Sequence, residues 1–482
     1  MQPPIQTTER TPSGSTSLFF IQIFSTMAYS VLYVSLVLFA VQALHFRADE
    51  ANHIMATFVA FNFALHFIGG FLGGRYISFR ALFVIGMILQ TIGCLLIAKL
   101  TIPFFMLGMA FFLVGSGMDL PCINCMITQL FHPDDKRREY AFLWNYSGMN
   151  IGFFIGVTIA GFYQSHQHFS TLFTIISTTN IVALFLMLIF WKQFKDVGTQ
   201  LSALPKRNWI RIIIAIASIG MLIPVLDYIL IHALFTTEII LILGITMLGV
   251  LIVLTLSAQE KTEKRKLMAF CVFVFAALIF YTLYELIPMA LTLFLERNVN
   301  RHMLGTVIPT AWFLNINTAI IIVGCPLTAM VTKKLRQKGY HISMPFFFSI
   351  GLILIGCAIA ILPIGIADAN KMGYVGIAWP FITYALLAMA EILLSPIGYA
   401  LVGELSPPNL RGVLMGAWLL TSGVSAILSN VFSNQALGPT RDMSPLVSNA
   451  SYSHVFLWMG IAGIMSGLVL LACKSTLDRL ME

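Results

Sequence analysis

Long apolar runs separated by short polar connections dominate the chain from residue 17 onward. Because backbone polar groups cannot remain unpaired in lipid, each run that crosses a bilayer must form a helix. The runs do not alternate between apolar and polar residues in segments of about ten, as membrane barrel strands do. The pattern predicts an all-α membrane protein with about fourteen transmembrane helices, near 17–44, 51–73, 79–98, 102–130, 140–164, 169–191, 208–231, 236–258, 267–295, 307–332, 343–363, 375–402, 411–437 and 453–474.

Basic residues cluster in alternate connections between these helices. The clusters are Lys136-Arg137-Arg138, Lys192/Lys195/Lys206/Arg207, Lys261/Lys264/Arg265/Lys266 and Lys333/Lys334/Arg336/Lys338. The opposite connections hold isolated residues, namely Arg47, Lys99, Arg297, Arg301, Lys371 and Arg441. Since Lys and Arg collect on the cytoplasmic side of a membrane, we expect the clusters and both termini to be cytoplasmic.

The longest basic connections, 192–211 and 259–266, flank the seventh and eighth predicted helices. This spacing divides the chain into two groups of six helices around an inserted hairpin, which is typical of the major facilitator fold. A fourteen-helix drug exporter has the same gross plan. The predicted segments are a cytoplasmic tail at 1–16, a six-helix bundle at 17–192, a linker with two extra transmembrane helices at 193–265, a second six-helix bundle at 266–474 and a cytoplasmic tail at 475–482.

Composition supports the membrane interpretation. The chain is 58% hydrophobic and 10% charged, whereas soluble domains carry about 25% charged residues. The net charge of +8 lies in short clusters between apolar runs, so we expect no nucleic-acid partner. The polar start and the long first apolar run are unlike a secretory leader. With no phosphate-binding Gly-Lys-Ser/Thr loop and no catalytic constellation, we expect an inner-membrane secondary transporter without a cofactor, not an enzyme.

Few ionisable residues lie inside the predicted spans, and no Lys or Arg accompanies them there. Each costs several kcal/mol at the bilayer centre, so each is a functional candidate. A buried carboxyl group without a cationic partner tends to bind a proton. Glu285 and Glu391 lie near the middle of long spans, which favours proton coupling or cation binding over a carboxyl capped by a hydroxyl for packing alone.

The remaining candidates leave more than one interpretation open. Asp119 lies in G-S-G-M-D-L-P, where glycines and Pro121 loosen a helix, and functional and structural roles are equally supported. The position of Asp227 on the inserted hairpin favours a structural or solvent-reaching role. For His66, packing is favoured over a role in proton relay. Cys122-x-x-Cys125 lies in a predicted membrane helix, so we expect packing there and no metal site.

Several motifs, in order along nearly the whole chain, resemble the proton-dependent oligopeptide transporter (POT) family. Phe142-x-x-Asn145-Tyr146-x-x-Met149-Asn150-x-Gly152 is similar to the fifth-helix signature of that family. Four further stretches match its later motifs: Leu283-Tyr284-Glu285 through Glu296-Arg297-Asn298, 308–317, 390–398 and 414–418. Paired linker helices are typical of its bacterial members.

The resemblance implies proton-driven uptake of small peptides by alternating access. It implies that Glu391 holds the peptide amino terminus, that Asn150 and Asn317 bind the peptide backbone, and that Glu285 controls gating. We therefore assign proton coupling or gating to Glu285 and Asp119. The substrate site is predicted to comprise Tyr29, Tyr33, Tyr146, Asn150, Asn317, Glu391, Trp418 and Ser422.

The chain departs from the family mainly at basic positions. The first-helix signature, two acids and an arginine, falls on 22–30, where Gln22, Ser25, Thr26 and Met27 stand. Other family residues are replaced as follows: a second arginine by Tyr33, the fourth-helix lysine by Leu120, the second-helix tyrosine by Phe63 and a loop aspartate by Gly74. The later acids remain but the bases do not, so the cavity is expected to be more negative or to hold protonated acids.

Three transport hypotheses follow. The first is uptake of a peptide-like amine, or of a peptide with a masked carboxylate. The second is ordinary di- and tripeptide uptake, in which Tyr29, Tyr33 and Asn150 bind the carboxylate. The third is proton-antiport export of a cationic or amphipathic compound. A receptor or scaffold role would leave the membrane acids without a purpose. The expected partners are a small-molecule or short-peptide substrate, protons and the lipid bilayer, and the chain is expected to be a monomer.

Overall fold

The computed structural model describes residues 13–132, 135, 137–203, 209–303, 305–339, 343–407, 410–438 and 444–481. Most of the predicted N-terminal tail, together with Lys136, Lys206, Arg207 and Arg441, lies outside the described residues. The side chains of Lys333, Arg336 and Arg411 also lie outside them. The predicted orientation of the termini and the predicted segment boundaries stay predictions.

Helices make up nearly all of the described chain. They are α1 Ser13–Gln42, α2 Ala48–Leu72, α3 Phe79–Ile97, α4 Ile102–Gln129, α5 Arg137–Ser165, α6 Phe169–Ile189, α7 Trp209–Ile231, α8 Ala233–Ser257, α9 Lys261–Tyr284, α10 Thr292–Asn298, α11 Trp312–Gln337, α12 Met344–Ala367, α13 Ala378–Leu405, α14 Arg411–Ala436, α15 Pro445–Ala472 and α16 Lys474–Met481. A 3₁₀ turn (Trp191–Gln193) follows α6, and a π-helical turn (Ile287–Leu291) joins α9 to α10. The strands β1 His302–Met303 and β2 Thr306–Val307 form an antiparallel hairpin.

Within the described residues, thirteen helices are long and apolar enough to cross a membrane. One of them is continuous from Lys261 to Asn298 and contains α9, the π turn and α10. The prediction of an all-α membrane protein is thus confirmed. The predicted span at 140–164 coincides with α5, a 29-residue helix that is not among the thirteen. Polar residues such as Asn145 and Asn150 lower its hydropathy, and they belong to the motif that carries the family resemblance.

Contacts between Cα atoms divide the chain into two compact units. Unit 1 takes in the described residues of Met1–Ser30, Leu65–Gly156 and Ser170–Asp227, and unit 2 those of Val31–Ala64, Val157–Phe169 and Tyr228–Glu482. Helix pairs inside each unit pack through small residues, as membrane helices commonly do. In unit 1, a Cβ added to Gly93 of α3 would lie 2.7 Å from the carbonyl oxygen of Gly108 in α4. In unit 2, a Cβ added to Gly460 of α15 would lie 2.7 Å from the backbone nitrogen of Ala360 in α12.

Candidate functional site

Glu285 lies in unit 2 at an interruption of the helical backbone. Helix α9 ends at Tyr284, and Pro288, which has no N–H group, stands inside the π turn. The Leu291 N–H donates to the carbonyl of Leu286 at 2.8 Å, a spacing one residue wider than in an α-helix. Such turns occur often at functional sites. The side chain of Glu285 is 4% exposed, so the sequence-predicted acid is buried as expected.

A tyrosine hydroxyl is the hydrogen-bond partner of Glu285. Tyr33 on α1 donates to Glu285 Oε2 at 3.3 Å, and its side chain is also buried. Tyr33 stands where the resemblance places an arginine. The structure therefore brings together two residues 252 positions apart, and it pairs the acid with a neutral group in place of a cation.

Glu391 on α13 is half-buried and receives two hydrogen bonds on one oxygen. Tyr284 Oη donates to Glu391 Oε2 at 2.7 Å, and Asn317 Nδ2 on α11 donates to the same atom at 3.4 Å. Glu391 is also close enough to Glu285 for their negative charges to repel each other. Residues of unit 2 from four helices, α1, α9, α11 and α13, thus place two acids in one acid cluster, which we define as Tyr33, Tyr284, Glu285, Asn317 and Glu391.

Ion pairs involve other residues. In the part of the chain that the structure describes, they join Arg47 to Asp49, Arg137 to Asp135 and Arg301 to Glu296. Neither acid of the cluster has a cationic partner there. The groups around these acids are hydroxyls and an amide, which stabilise a negative charge less than an arginine does.

Two other predicted substrate residues lie in the core of unit 2. Trp418 on α14 is 2% exposed and packs edge-on against Phe348, with ring centroids 6.3 Å apart. Its ring also lies against Gly398 of α13, which has no side chain to block it. Ser422, one turn beyond Trp418, is buried as well. Their assignment to substrate binding stays a prediction.

In unit 1, neutral side chains occupy the place of the charged first-helix signature. Gln22 Nε2 donates to Thr26 Oγ1 at 2.8 Å, and Asn145 Nδ2 on α5 donates to Gln22 Oε1 at 3.0 Å. All three side chains are buried. We call Gln22, Thr26 and Asn145 the amide network. It links α1 to α5 without any charge.

Asp119 is the buried acid of unit 1. It lies on α4, is 8% exposed and stands beside Gln90 of α3 and Ser25 of α1. Its Oδ1 atom has no hydrogen-bond partner among the described residues. The structure therefore places Asp119 in the interior of unit 1, as the sequence predicts, and no Lys or Arg stands beside it among the described residues.

The other predicted residues of unit 1 lie on α1 and α5. Tyr29 and Tyr146 are half-buried, and Asn150 is 8% exposed. Asn150 Nδ2 donates to the carbonyl oxygen of Tyr146 at 2.9 Å, which fixes the orientation of the amide. The assignment of these three residues to substrate binding also stays a prediction.

Sequence reasoning missed several partners. Tyr284 stands inside a quoted motif, but its bond to Glu391 joins residues 107 positions apart. The signal available in the sequence is its place next to Glu285, since a hydroxyl beside a membrane acid is a natural hydrogen-bond donor. Trp312, inside the motif at 308–317, donates from Nε1 to the carbonyl of Thr158 at 3.0 Å within unit 2.

A carboxylate from a distant segment stabilises the start of α3 in unit 1. The backbone N–H of Phe79 donates to Asp196 Oδ1 at 3.2 Å, and Arg80 lies over the Trp191 ring at 4.5 Å. Burial raises the pKa of Asp196, although the Phe79 bond and Arg80 oppose the shift. Asp196 thus supplies a carboxylate close to the loop where Gly74, at φ 70°, replaces the family aspartate.

Comparisons with known proteins identify the family of this chain. A sequence model described as the POT family matches residues 77–448. This chain belongs to the POT family. It is 28% identical to dipeptide and tripeptide permease A of Cronobacter turicensis over 461 residues, which cover 94% of this chain and 91% of the relative. It is 26% identical to the permease of the same name in Salmonella typhimurium, with 98% and 93% covered.

Solved POT transporters share the fold. A POT peptide transporter bound to alafosfalin superimposes with a TM-score of 0.84 at 21% identity, covering 98% of this chain and 96% of the other. A POT transporter bound to 5-aminolevulinic acid gives 0.81 at 21% identity, covering 97% of each chain. The predicted major facilitator fold is therefore confirmed. As a POT member the chain is a multi-pass inner-membrane transporter and not an enzyme, and the comparisons do not favour the export hypothesis.

Proposed function

We propose that this POT transporter takes up small peptides or peptide-like amine compounds by alternating access, driven by a proton gradient and without a bound cofactor. The observation that supports this most directly is the acid cluster of unit 2, in which Glu285 and Glu391 are held by neutral partners. Two acids with separate hydrogen-bond partners allow separate tasks, one for the substrate and one for the proton.

Glu391 is the proposed ligand of the substrate amine. Its Oε2 atom already receives bonds from Tyr284 and Asn317, and two donors stabilise a negative charge on the carboxylate. An ammonium group is the natural counterion of such a carboxylate in a low-dielectric site. The relatives named dipeptide and tripeptide permeases carry substrates with an amino terminus of this kind.

Glu285 is the proposed proton carrier. It is more deeply buried than Glu391 and has, among the described residues, one neutral donor, Tyr33, at 3.3 Å, whereas Glu391 has two. The nearby charge of Glu391 further opposes a second negative charge in the cluster. A proton on Glu285 removes this repulsion and lets Glu391 keep the negative charge that binds an amine. The short distance between the two acids therefore couples proton binding to amine binding.

Among the described residues of unit 1, the groups around the first-helix signature offer no cationic ligand for the carboxylate end of a peptide. The amide network of Gln22, Thr26 and Asn145 is neutral, and Asp119 adds a negative group. Tyr29, Tyr146 and Asn150 are the proposed neutral donors for this end of the substrate. This favours a substrate whose carboxylate is masked or absent, because an anion without a cationic partner is poorly stabilised when buried.

Uptake by purified protein in proteoliposomes tests this proposal. With an inward proton gradient, we expect alanyl-alanine amide to be accumulated faster than alanyl-alanine, and both to depend on the gradient. Equal rates for the two compounds would contradict the masked-carboxylate preference. Uptake that ignores the gradient would contradict proton coupling.

A single chain is the proposed transporting unit, because the donors Tyr33, Tyr284 and Asn317 complete the acid cluster within the same chain as the two acids. One relative has been crystallised as a tetramer, so self-association deserves a separate measurement. Liposomes reconstituted at less than one chain per vesicle should still accumulate the amide. Activity that appears only with several chains per vesicle would contradict this assignment.

A further inference from the structure

Gln90 is a buried amide that no other described residue satisfies. It lies on α3 of unit 1 and is 1% exposed. Neither Nε2 nor Oε1 has a hydrogen-bond partner among the described residues. A buried polar group without a partner is costly, and such a group in a native protein needs an explanation.

Close packing of α3 on α4 holds this amide in place. A Cβ added to Gly115 of α4 would lie 2.8 Å from Gln90 Cγ, so the absence of a side chain at Gly115 makes room for the stem of Gln90. A Cβ added to Gly86 of α3 would lie 2.8 Å from the Gly115 carbonyl oxygen. The two backbones thus approach closely on both sides of Gln90, and the direction of its side chain is restricted.

This packing directs the amide toward Asp119. Asp119 follows Gly115 by four residues, so both lie on the same face of α4, one turn apart. The side chain of Asp119 is within reach of Gln90, and its Oδ1 atom also lacks a partner among the described residues. Ser25 of α1 is the third nearby group, but its hydroxyl donates to the carbonyl of Gln22 at 3.3 Å.

An amide suits an acid that changes its protonation state. The Nε2 group of Gln90 donates to a carboxylate, whereas its Oε1 atom accepts from a protonated acid. Rotation of the amide by half a turn exchanges the two atoms, which have nearly the same size. Among the described residues, no group other than Asp119 holds either atom, so this rotation breaks no hydrogen bond to a third residue.

We propose that Gln90 is a positioning residue whose amide serves as the exchangeable hydrogen-bond partner of Asp119 while this acid takes up and releases a proton. The inference rests on the proposed proton coupling and assigns a second protonation site, inside unit 1. The proton comes from water and returns to water, and it resides on a carboxyl oxygen of Asp119 in between. Gln90 keeps its own protons throughout.

Few other titratable groups surround Asp119. Cys122 lies one turn further along α4 and interacts with it electrostatically. From α2, His66 lies one turn before Gly69, whose backbone packs on Gly117 and Met118 of α4. On α3 and α1, the groups that reach Asp119 are the neutral side chains of Gln90 and Ser25.

The pH profile of gradient-driven uptake by Gln90→Met measures this role. Methionine keeps the length of the side chain and removes both polar atoms. The matched control is Gln164→Met, a buried glutamine of α5 that also has an unpartnered Oε1 atom but lies in unit 2. We expect the profile to move by about one pH unit in Gln90→Met, because the hydrogen bond lost by the carboxylate is stronger than the one lost by the protonated acid. We expect no such shift in Gln164→Met, and an unshifted Gln90→Met profile overturns the proposal.

Asp119→Asn separates the two levels of the inference. If Asp119→Asn shows the uptake and the pH profile of the wild type, then Asp119 carries no proton. This result would overturn both the second protonation site and the role of Gln90. If Asp119→Asn reduces gradient-driven uptake, Gln90→Met is then combined with it. We expect no further change of the pH profile in the double variant, because Gln90 acts through Asp119. An additional shift would overturn that role without touching the proton coupling itself.

A measurement on the wild-type protein keeps the test valid if Gln90→Met does not fold. Infrared difference spectra between acid and alkaline pH record the C=O stretch of protonated carboxyl groups, and the band that Asp119→Asn removes belongs to Asp119. We expect this band at the lower frequency of a hydrogen-bonded acid, with a simultaneous change in the glutamine amide bands. A band at the frequency of a free acid would overturn the proposal.

Discussion

The acid cluster of unit 2 and the Asp119 region of unit 1 differ in how their carboxyl groups are satisfied. Glu391 receives two donors on one oxygen, Glu285 receives one donor, and Oδ1 of Asp119 has no partner among the described residues. In neither region does the structure pair the acid with a Lys or Arg among these residues. Neutral groups thus stand beside the acids where the family has bases. In unit 2 these groups are hydroxyl and amide donors that bond the acids, and in unit 1 the group is the amide of Gln90, which no third residue holds.

The different numbers of hydrogen-bond donors suggest that one acid binds the substrate amine and the others bind protons. A carboxylate with fixed donors keeps its charge and is available for an ammonium ion, whereas an acid with few or exchangeable partners gains most from a proton. The proposed role of Glu391 therefore differs from the roles of Glu285 and Asp119 because its carboxylate has more hydrogen-bond donors. Each prediction below changes one side of this comparison.

The largest effect is expected for Glu285→Gln, which removes the proposed proton carrier of unit 2. Gradient-driven accumulation of alanyl-alanine amide should fall on the order of 100-fold, toward the upper end of the usual coupling between two ligands. The measurement is uptake into proteoliposomes with and without an imposed proton gradient. Glu238→Gln, which changes an exposed carboxyl on α8, is the matched control and should behave as wild type. A Glu285→Gln transporter that still accumulates substrate would remove Glu285 from the coupling mechanism.

Glu391→Gln should mainly weaken substrate recognition. Loss of a charge-assisted bond to the substrate amine corresponds to an increase in KM of roughly 10- to 100-fold. Tyr284→Phe removes one of the two donors and should raise KM less. Concentration-dependent uptake of the amide gives both values. If an N-acetylated substrate, which has no ammonium group, suffers the same loss in Glu391→Gln, then the carboxylate does not recognise the amine.

Leu120→Lys restores the family cation beside Asp119. We expect it to improve the apparent affinity for alanyl-alanine by roughly tenfold, the order of one charge-assisted hydrogen bond. The affinity for alanyl-alanine amide should stay the same, so the amide serves as an internal control. Competition between the two compounds for uptake measures the ratio directly. An equal gain for both would show that the new lysine acts on something other than the carboxylate.

The smallest effect concerns stability at Asp196. Because burial raises its pKa above the ordinary 3.8, the wild type loses stability as pH rises through the folded-state pKa. Asp196→Asn keeps an oxygen acceptor for Phe79 and avoids the buried charge, so its melting temperature should match the wild type in acid and exceed it near neutral pH. Asp196→Ala loses the acceptor and should be destabilised by about 1 kcal/mol, as for other helix N-terminal caps. Thermal unfolding in detergent across pH gives these values, and a melting curve of Asp196→Asn that lies below the wild type at neutral pH would contradict the assignment.

The sequence was sufficient to locate the helices and the buried acids. Long apolar runs leave no alternative to helices in lipid, and an acid inside such a run is conspicuous because its burial is costly. Glu285, Glu391 and Asp119 could all be found in this way. The family motifs then supplied roles that periodicity does not contain.

The partners of these acids could not be found in the same way. Tyr33 meets Glu285 across 252 positions, and Asp196 meets Phe79 across 117 positions. Such pairs depend on how helices cross, and hydropathy contains no information about crossing. Gln90 was overlooked for a related reason, since a single polar residue in an apolar run is unremarkable until the glycines of α4 show where it points.

The π-helical turn between α9 and α10 changes the angular phase of this membrane helix. Glu285 and Glu296 are 11 residues apart, and in an uninterrupted α-helix they would lie within about 20° of the same direction. One extra residue in the turn rotates the following segment by about 100°. Glu296 instead contacts Arg301, Thr310 and Gln42, whereas Glu285 contacts Tyr33. The wider turn therefore keeps Glu285 and Glu296 on different sides of one continuous membrane helix. A regular α-helix that kept all of these residues would bring the two acids onto the same side.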